Sequence, residues 1–120
     1  MDLNNPVIKL CAEGVRAEFE GRSNDARTLF LQAWETSRDD YEACVAAHYV
    51  ARYQESPEDT LRWNQEALAR AEAVGDERVH NFYPSLYVNM GRSYEVLGNW
   101  AEARRYYKLA ADLGLVHQAE

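Results

Sequence analysis

Apolar residues recur every three or four positions along most of this 120-residue chain, the spacing that places them on one face of a helix. The second helical segment shows the pattern most completely, with apolar side chains at Ala26, Leu29, Phe30, Ala33 and Trp34. Alternating runs of Val, Ile and Thr, which would indicate strands, are missing from the sequence, whereas Ala, Glu, Arg and Leu are abundant. The pattern therefore predicts an all-α fold.

Polar residues that can accept hydrogen bonds from the first amides of a helix mark six helix starts. The clearest is Ser56-Pro57, where a capping serine precedes a proline and the acidic residues Glu58 and Asp59 follow at the positive end of the helix dipole. The other starts are at Asn5-Pro6, Ser23 or Asn24, Asp39, Asp76 and Asn99. Six helices with five short connections predict antiparallel neighbours. This pattern alone leaves a closed bundle and a stack of helix pairs open.

An internal repeat favours the stack. When the chain is aligned with itself so that Gly14 falls on Gly91, several further residues meet residues of the same kind. These matches are Leu10 with Tyr87, Glu18 with Glu95, Gly21 with Gly98, Ala26 with Ala103, Phe30 with Tyr107 and Ala33 with Ala110. A glycine in one helix and an alanine in the next remove bulk where two helices cross, and the aromatic one turn later fills the space beside the contact. The repeat predicts three stacked, antiparallel helix pairs.

The same spacing resembles that of the tetratricopeptide repeat (TPR) family, whose pattern of about 34 residues has Gly, Tyr, Ala and Phe at fixed offsets. The third unit carries the resemblance best, with Tyr87, Met90, Gly91, Tyr94, Ala103 and Tyr107. The first unit has Leu10, Gly14, Ala26 and Phe30, and the middle unit is degenerate, with Ala47 or His48 at the glycine position. The resemblance implies a TPR-like α-solenoid in one domain over residues 1–114. Its units lie at about 6–38, 39–75 and 76–114, and residues 115–120 are expected to form a flexible tail.

The separation of Gly14 from Gly91 along the chain exceeds two TPR repeats of about 34 residues each, and the excess lies between helix 4 and the middle of helix 5. At about 1.5 Å per residue, each of these helices would gain roughly a turn. We therefore expect an extended helix 4/helix 5 hairpin around Gly75-Asp76, with Pro84 kinking a helix that begins at Glu77. The alternative is a loose turn over residues 77–83.

The charge and the cysteines narrow the class of protein. The formal net charge is -7, which disfavours binding to a nucleic-acid backbone. The N-terminal residues do not resemble a signal peptide, and the sequence has no apolar run approaching the ~20 residues of a membrane span. Cys11 and Cys44 lack the spacing of a zinc or redox motif, so we expect reduced thiols in a cytoplasmic chain that binds neither membrane nor nucleic acid.

Catalytic motifs are weak. Glu77 and His80 have the spacing of half a di-iron motif, but that site needs a second such pair and further glutamates. Cys44 and His48 lie one helical turn apart on one helix face and would form the thiol–imidazole pair of a small enzyme, which is the remote alternative. We expect no catalytic residue, no metal site and no cofactor.

The TPR resemblance implies a concave groove lined by the first helix of each pair. The groove residues that it selects as partner-binding are Glu18, Tyr49, Arg52, Asn89, Arg92 and Glu95. The lysine and asparagine set of carboxylate-clamp TPR domains is absent from the first unit. Arg52 and Arg92 can alternatively form solvated ion pairs with Glu18 or Glu95. The implied function is a non-catalytic adaptor or scaffold that binds a peptide or protein segment.

The last helix offers a second kind of interface. Tyr106, Leu109 and Leu113 form an apolar stripe with no following helix to cover it. The alternative function is therefore a self-associating structural subunit, such as a homodimer, whose groove or helix 6 is buried between copies.

Overall fold

Six α-helices make up nearly all of the computed structural model, which describes residues 4–114. In chain order they are α1 (Pro6–Phe19), α2 (Ser23–Thr36), α3 (Asp40–Val50), α4 (Pro57–Val74), α5 (Tyr83–Val96) and α6 (Trp100–Asp112). Two 3-10 segments, Ala51–Tyr53 and Glu77–Phe82, follow α3 and precede α5. No strand occurs within the described range, so the predicted all-α class with six helices is confirmed. The predicted tail, 115–120, lies outside the described residues.

Side-chain caps form at most of the predicted helix starts. Asn5 accepts hydrogen bonds from the Val7 and Ile8 amides, and Ser56 accepts one from the Asp59 amide. Asp39 and Asn99 cap α3 and α6 in the same way. The prediction for α2 is wrong, because Arg22 occupies its N-cap position and no side chain caps that helix.

The predicted extension of helix 5 is also wrong. Helix α4 does reach Val74 and ends at Gly75, whose φ of 64° is left-handed. The segment Glu77–Phe82 is a 3-10 helix, and α5 begins only at Tyr83. Pro84 therefore lies in the first turn of α5, where its missing N–H costs no helical hydrogen bond, and it kinks nothing. Because Pro84 cannot donate to the carbonyl of His80, an α-helix could not continue unbroken through this stretch.

Helices that are neighbours in sequence pack on each other along the whole chain. The most extensive packing is within the pairs α1/α2, α3/α4 and α5/α6, and α2 and α4 also contact the helix that follows them. Helix α1 contacts α3 as well. The core between the pairs is built mainly of alanines and a few larger apolar residues, including Phe30, Val50, Leu86 and Met90.

Glycine meets an aromatic ring within the first and third pairs. A Cβ placed on Gly14 would lie 2.8 Å from the Phe30 Cδ1 atom, and one on Gly91 would lie 2.6 Å from the Tyr107 Cε1 atom. Real Cβ atoms do not approach other atoms this closely, so these two positions accept only glycine unless the rings move. Ala26 and Ala103, the small residues of the partner helices, are fully buried.

None of the helices among the described residues is long and apolar enough to cross a bilayer.

Candidate functional site

Three of the predicted groove residues, Glu18, Tyr49 and Arg52, come together where α1 meets the end of α3. Arg52 donates to the Glu18 carboxylate at 3.0 Å, and the Tyr53 hydroxyl donates to the same carboxylate at 2.7 Å. The Arg52 guanidinium carbon lies 4.9 Å from the centre of the Tyr49 ring, which stacks on Phe30 with ring centres 4.8 Å apart. The ion pair that was the alternative for Arg52 is therefore present, and the cluster ties α1 to α3.

The other three groove residues, Asn89, Arg92 and Glu95, lie along α5. The Asn89 side-chain amide lies 3.3 Å from His48 Nδ1 on α3. Glu95 accepts a hydrogen bond of 2.7 Å from the Tyr107 hydroxyl. Burial, followed by this bond to Glu95, raises the pKa of Tyr107 to about 12, which keeps its hydroxyl protonated as a donor.

A cleft of about 530 Å³ opens between the end of α3, the start of α4 and the second half of α5. We call it the polar cleft, because its lining includes His48, Arg52, Asn64, Asn89, Arg92 and Ser93. Asn64 is only 7% exposed and donates to the Ser93 hydroxyl oxygen at 2.9 Å and, less closely, to the Asn89 backbone carbonyl at 3.4 Å. Together with the contact between Asn89 and His48, these bonds link α4, α5 and α3 across the floor of the cleft.

The surroundings of His48 favour the neutral form of its ring. Burial of its ring lowers its pKa, and the nearby positive charge of Arg52 lowers it further. A neutral ring can accept a hydrogen bond at Nδ1 from the Asn89 amide, whereas a protonated ring has no acceptor to offer.

A second cleft, of about 340 Å³, lies on the other side of His48. We call it the aromatic cleft, because its walls include Ile8, Tyr41, Val45, Tyr49, Phe82 and Leu86. The Tyr41 and Phe82 rings stack with centres 6.1 Å apart, and the Arg78 guanidinium carbon lies 5.2 Å from the centre of the Tyr41 ring. Arg78 and Phe82 belong to the 3-10 segment Glu77–Phe82, so the residues in excess of the repeat length build one wall of this cleft.

The proposed thiol–imidazole pair does not have the chemistry of a nucleophile. Cys44 is only 1% exposed, and burial raises the pKa of its thiol to about 11. Burial likewise raises the pKa of Cys11 to about 12. Reactive cysteines instead have a lowered pKa and access to solvent. Over residues 4–114, the structure groups no three His, Cys, Asp or Glu side chains as metal ligands.

The three residues expected to form a stripe on α6 differ in their exposure. Tyr106 is half-buried, stacks on Tyr94 with ring centres 5.8 Å apart, and has Arg105 over its ring. Leu109 is half-buried as well, and only Leu113, at 54%, is largely exposed. The stripe is therefore narrower than the sequence suggests, because α5 covers part of it.

Several residues of the clefts were not predicted, above all Asn64, Ser93 and Phe82. Asn64 could have been found from the spacing, because it follows Phe30 by one repeat length, just as His48 follows Gly14. The middle pair thus has a large residue where its neighbours have glycine, and a small polar residue where they have an aromatic ring. Phe82 carried no comparable pattern, because it lies in the segment that departs from the repeat.

No protein-family model matches the chain, and no curated protein and no solved structure matches it significantly.

Proposed function

We propose that the chain is a non-catalytic protein–protein interaction module, an adaptor or scaffold, that binds an extended segment of a partner protein. The observation that carries the proposal is that the two clefts adjoin at His48, which lines both of them. Together they offer one recess with several aromatic and aliphatic side chains in its lining and one with several Asn, Ser and Arg side chains, and a bound peptide can place a different side chain in each. The partner is a protein or peptide; nucleic acid is disfavoured by the acidic charge of the chain, and a membrane by the lack of an apolar run of about 20 residues in the sequence.

The TPR-like arrangement is part of this proposal. Its support is the order of packing, in which each helix contacts its neighbours in sequence, and the glycine–aromatic contacts of the first and third pairs. In such a stack the units 6–38, 39–75 and 76–114 each supply one helix pair, and α1, α3 and α5 share one face. A cytoplasmic location fits two buried thiols without a disulfide.

Selection from a phage-displayed random peptide library tests the proposal. The bait is the wild-type chain, and the comparison is a double variant, Ser85→Trp with Arg92→Glu. Ser85 and Arg92 are residues of α5 that line the aromatic cleft and the polar cleft, respectively. We expect peptides enriched on the wild type to bind the double variant at least about tenfold more weakly, since one change fills a cleft and the other reverses a charge.

A matched control carries the same kinds of substitution elsewhere. Ala69→Trp on α4 and Arg104→Glu on α6 change exposed residues that line neither cleft. Binding should survive in this control. If no peptide is enriched, or if both double variants lose binding equally, the chain is not a module that uses these clefts. We avoid Tyr49 as a test position because its ring stacks on the buried Phe30.

Self-association is a second candidate, favoured by exposed apolar side chains on α6 and nearby. Leu113 and Trp100 lie at the two ends of α6 and are mostly exposed, as is Val96 at the end of α5. Sedimentation equilibrium of the wild type and of Trp100→Ser with Leu113→Ser tests it. A wild-type mass of twice the chain that falls to the single-chain mass in the variant supports a homodimer; a single-chain mass at high concentration removes it.

A further inference from the structure

The two clefts arise where the middle of the chain departs from the repeat. The polar cleft has Asn64 and Ser93 in its floor, and Asn64 occupies the position of Phe30 and Tyr107 in the outer pairs. The aromatic cleft has a wall from Glu77–Phe82, the segment that lengthens the chain between α4 and α5. Two adjoining recesses with different linings are suited to two different side chains.

The aromatic cleft suits a bulky apolar side chain. Its lining includes Ile8, Val45 and Leu86, which are almost fully buried and leave the exposed apolar surface mainly to the half-buried aromatic rings. The Tyr41 and Phe82 rings add flat apolar surface, and aromatic rings pack well against leucine or aromatic side chains. Burying such a side chain contributes about 1.5–3 kcal/mol relative to leaving it in water.

The polar cleft suits a carboxylate. Its ionisable lining residues, apart from His48, are Arg52, Arg92 and Glu55, so two guanidinium groups line this cleft, and Arg52 is paired with Glu18. Arg52 uses a single nitrogen, Nη1, for Glu18, and its side chain remains 47% exposed. A guanidinium has five N–H donors, so Arg52 can hold a second carboxylate while it keeps the first.

We propose that the clefts recognise two nearby side chains of one partner segment: a leucine or aromatic side chain in the aromatic cleft and an aspartate or glutamate side chain in the polar cleft. This inference rests on the proposed function and specifies which side chains the partner segment must carry. The shared wall at His48 places the two side chains close together in the partner sequence. In an extended segment, residues two apart point to the same side, which predicts a spacing of about two to four residues.

The experiment uses peptides enriched in the library selection, synthesised with an acetylated N-terminus and an amidated C-terminus, so that side chains supply the only carboxylates. For each peptide, a Glu→Gln or Asp→Asn change and an apolar→Ala change are measured by fluorescence anisotropy against three chains: wild type, Ser85→Trp and Arg92→Glu. On the wild type, each peptide change should weaken binding about tenfold. The carboxylate change should also reduce the dependence of affinity on salt.

The variants assign each side chain to its cleft. With Ser85→Trp the apolar→Ala change should lose most of its effect, and with Arg92→Glu the carboxylate change should lose its effect. Circular dichroism checks that both variants keep the wild-type helix content. A crossed pattern of this kind supports the inference.

Other outcomes overturn it in distinguishable ways. Peptides that require the clefts but carry no acidic residue, or carry a basic one, overturn the inference and leave the interaction module standing. Peptides whose carboxylate change is equally costly on wild type and on Arg92→Glu place the acid elsewhere and also overturn it. Failure to enrich any peptide that depends on the clefts removes the inference and the proposed function together.

Discussion

The outer helix pairs and the middle pair differ in which helix carries the larger side chain at the matching positions. In α1/α2 and α5/α6 a glycine faces an aromatic ring, Gly14 with Phe30 and Gly91 with Tyr107. In α3/α4 the equivalent positions hold His48 and Asn64, so the large residue has moved from the second helix to the first. In the outer pairs the aromatic ring packs directly against the glycine. In the middle pair, hydrogen bonds that involve Asn64 and His48 lie beneath the open polar cleft. The exchanged sizes of these two side chains accompany the polar cleft in the middle pair.

The largest expected effect is a difference in the loss of stability when Phe30 of the first pair and the matching residue of the middle pair, Asn64, are each replaced by alanine. Phe30 is fully buried, so Phe30→Ala should lower the free energy of unfolding by about 3–5 kcal/mol. Asn64→Ala removes a smaller side chain beside an open cleft and should cost only about 1–2 kcal/mol, chiefly through lost hydrogen bonds. Urea unfolding measures both. If the two variants lose the same free energy of unfolding, Asn64 contributes to core packing as much as Phe30 does, which would contradict this account.

A second effect concerns the glycine positions. Gly14→Ala places a Cβ against the buried Phe30 ring, and such overpacking costs about 1–3 kcal/mol, partly offset by about 1 kcal/mol of better helix propensity. We expect a net loss of stability that disappears when Phe30→Leu is introduced as well, since leucine leaves room for the new methyl group. A Gly14→Ala variant more stable than wild type would show that the ring moves freely.

A third effect depends on pH, and again concerns a polar residue of the middle pair. Glu42 is buried, and at the matching positions the outer pairs have Ile8 and Ser85. Burial alone would raise the pKa of Glu42, but hydrogen bonds from the Arg38 backbone, the Asn5 side chain and the Arg38 side chain outweigh it and lower the pKa. A folded pKa below the unfolded value means that the carboxylate stabilises the fold at neutral pH and that this contribution is lost as the pH falls through the folded pKa.

Glu42→Gln should therefore cost about 1–2 kcal/mol at neutral pH and progressively less below about pH 4. Urea unfolding of both chains over this range gives the comparison. A difference in stability that does not change with pH would show that the charge of Glu42 contributes nothing.

The smallest effect is expected at the C-terminal ends of the first helices of the pairs, α1, α3 and α5. Phe19 and Val96 hold matching positions in the outer pairs and are 90% and 70% exposed, whereas Tyr53 of the middle pair is half-buried against Glu18. Phe19→Ser should change the free energy of unfolding by less than about 0.5 kcal/mol, and Tyr53→Ser by clearly more. A large loss in Phe19→Ser would reveal a packing role that its exposure does not suggest.

Local features of the sequence were enough to predict much of the helical framework. Caps such as Asn5 and Ser56 depend on neighbouring residues alone, and the apolar period reveals which face of a helix is buried. The start of α5 was missed, because Pro84 is compatible both with a kinked helix and with a first turn, and the choice depends on how Glu77–Phe82 packs on Tyr41.

The site was harder to predict for the same reason. Three groove residues, Arg52, Asn89 and Arg92, do line the polar cleft, and Tyr49 lines the aromatic one. Glu18 and Glu95 act within the chain, as acceptors for Tyr53 and Tyr107. The floor of the polar cleft joins side chains from three different helices, and no local pattern marks such contacts.

The most direct test of the central claim is a double-mutant cycle in which the middle pair is given the side chains of the outer pairs. The variant Asn64→Phe alone should lose about 1–3 kcal/mol of stability, because the repeat alignment places its ring opposite His48, where the outer pairs have a glycine. His48→Gly alone should also be destabilised, and the double variant should recover at least about 1 kcal/mol relative to the sum of the two losses. Additive losses, measured by urea unfolding, would contradict the claim that positions 48 and 64 exchange the sizes found in the outer pairs.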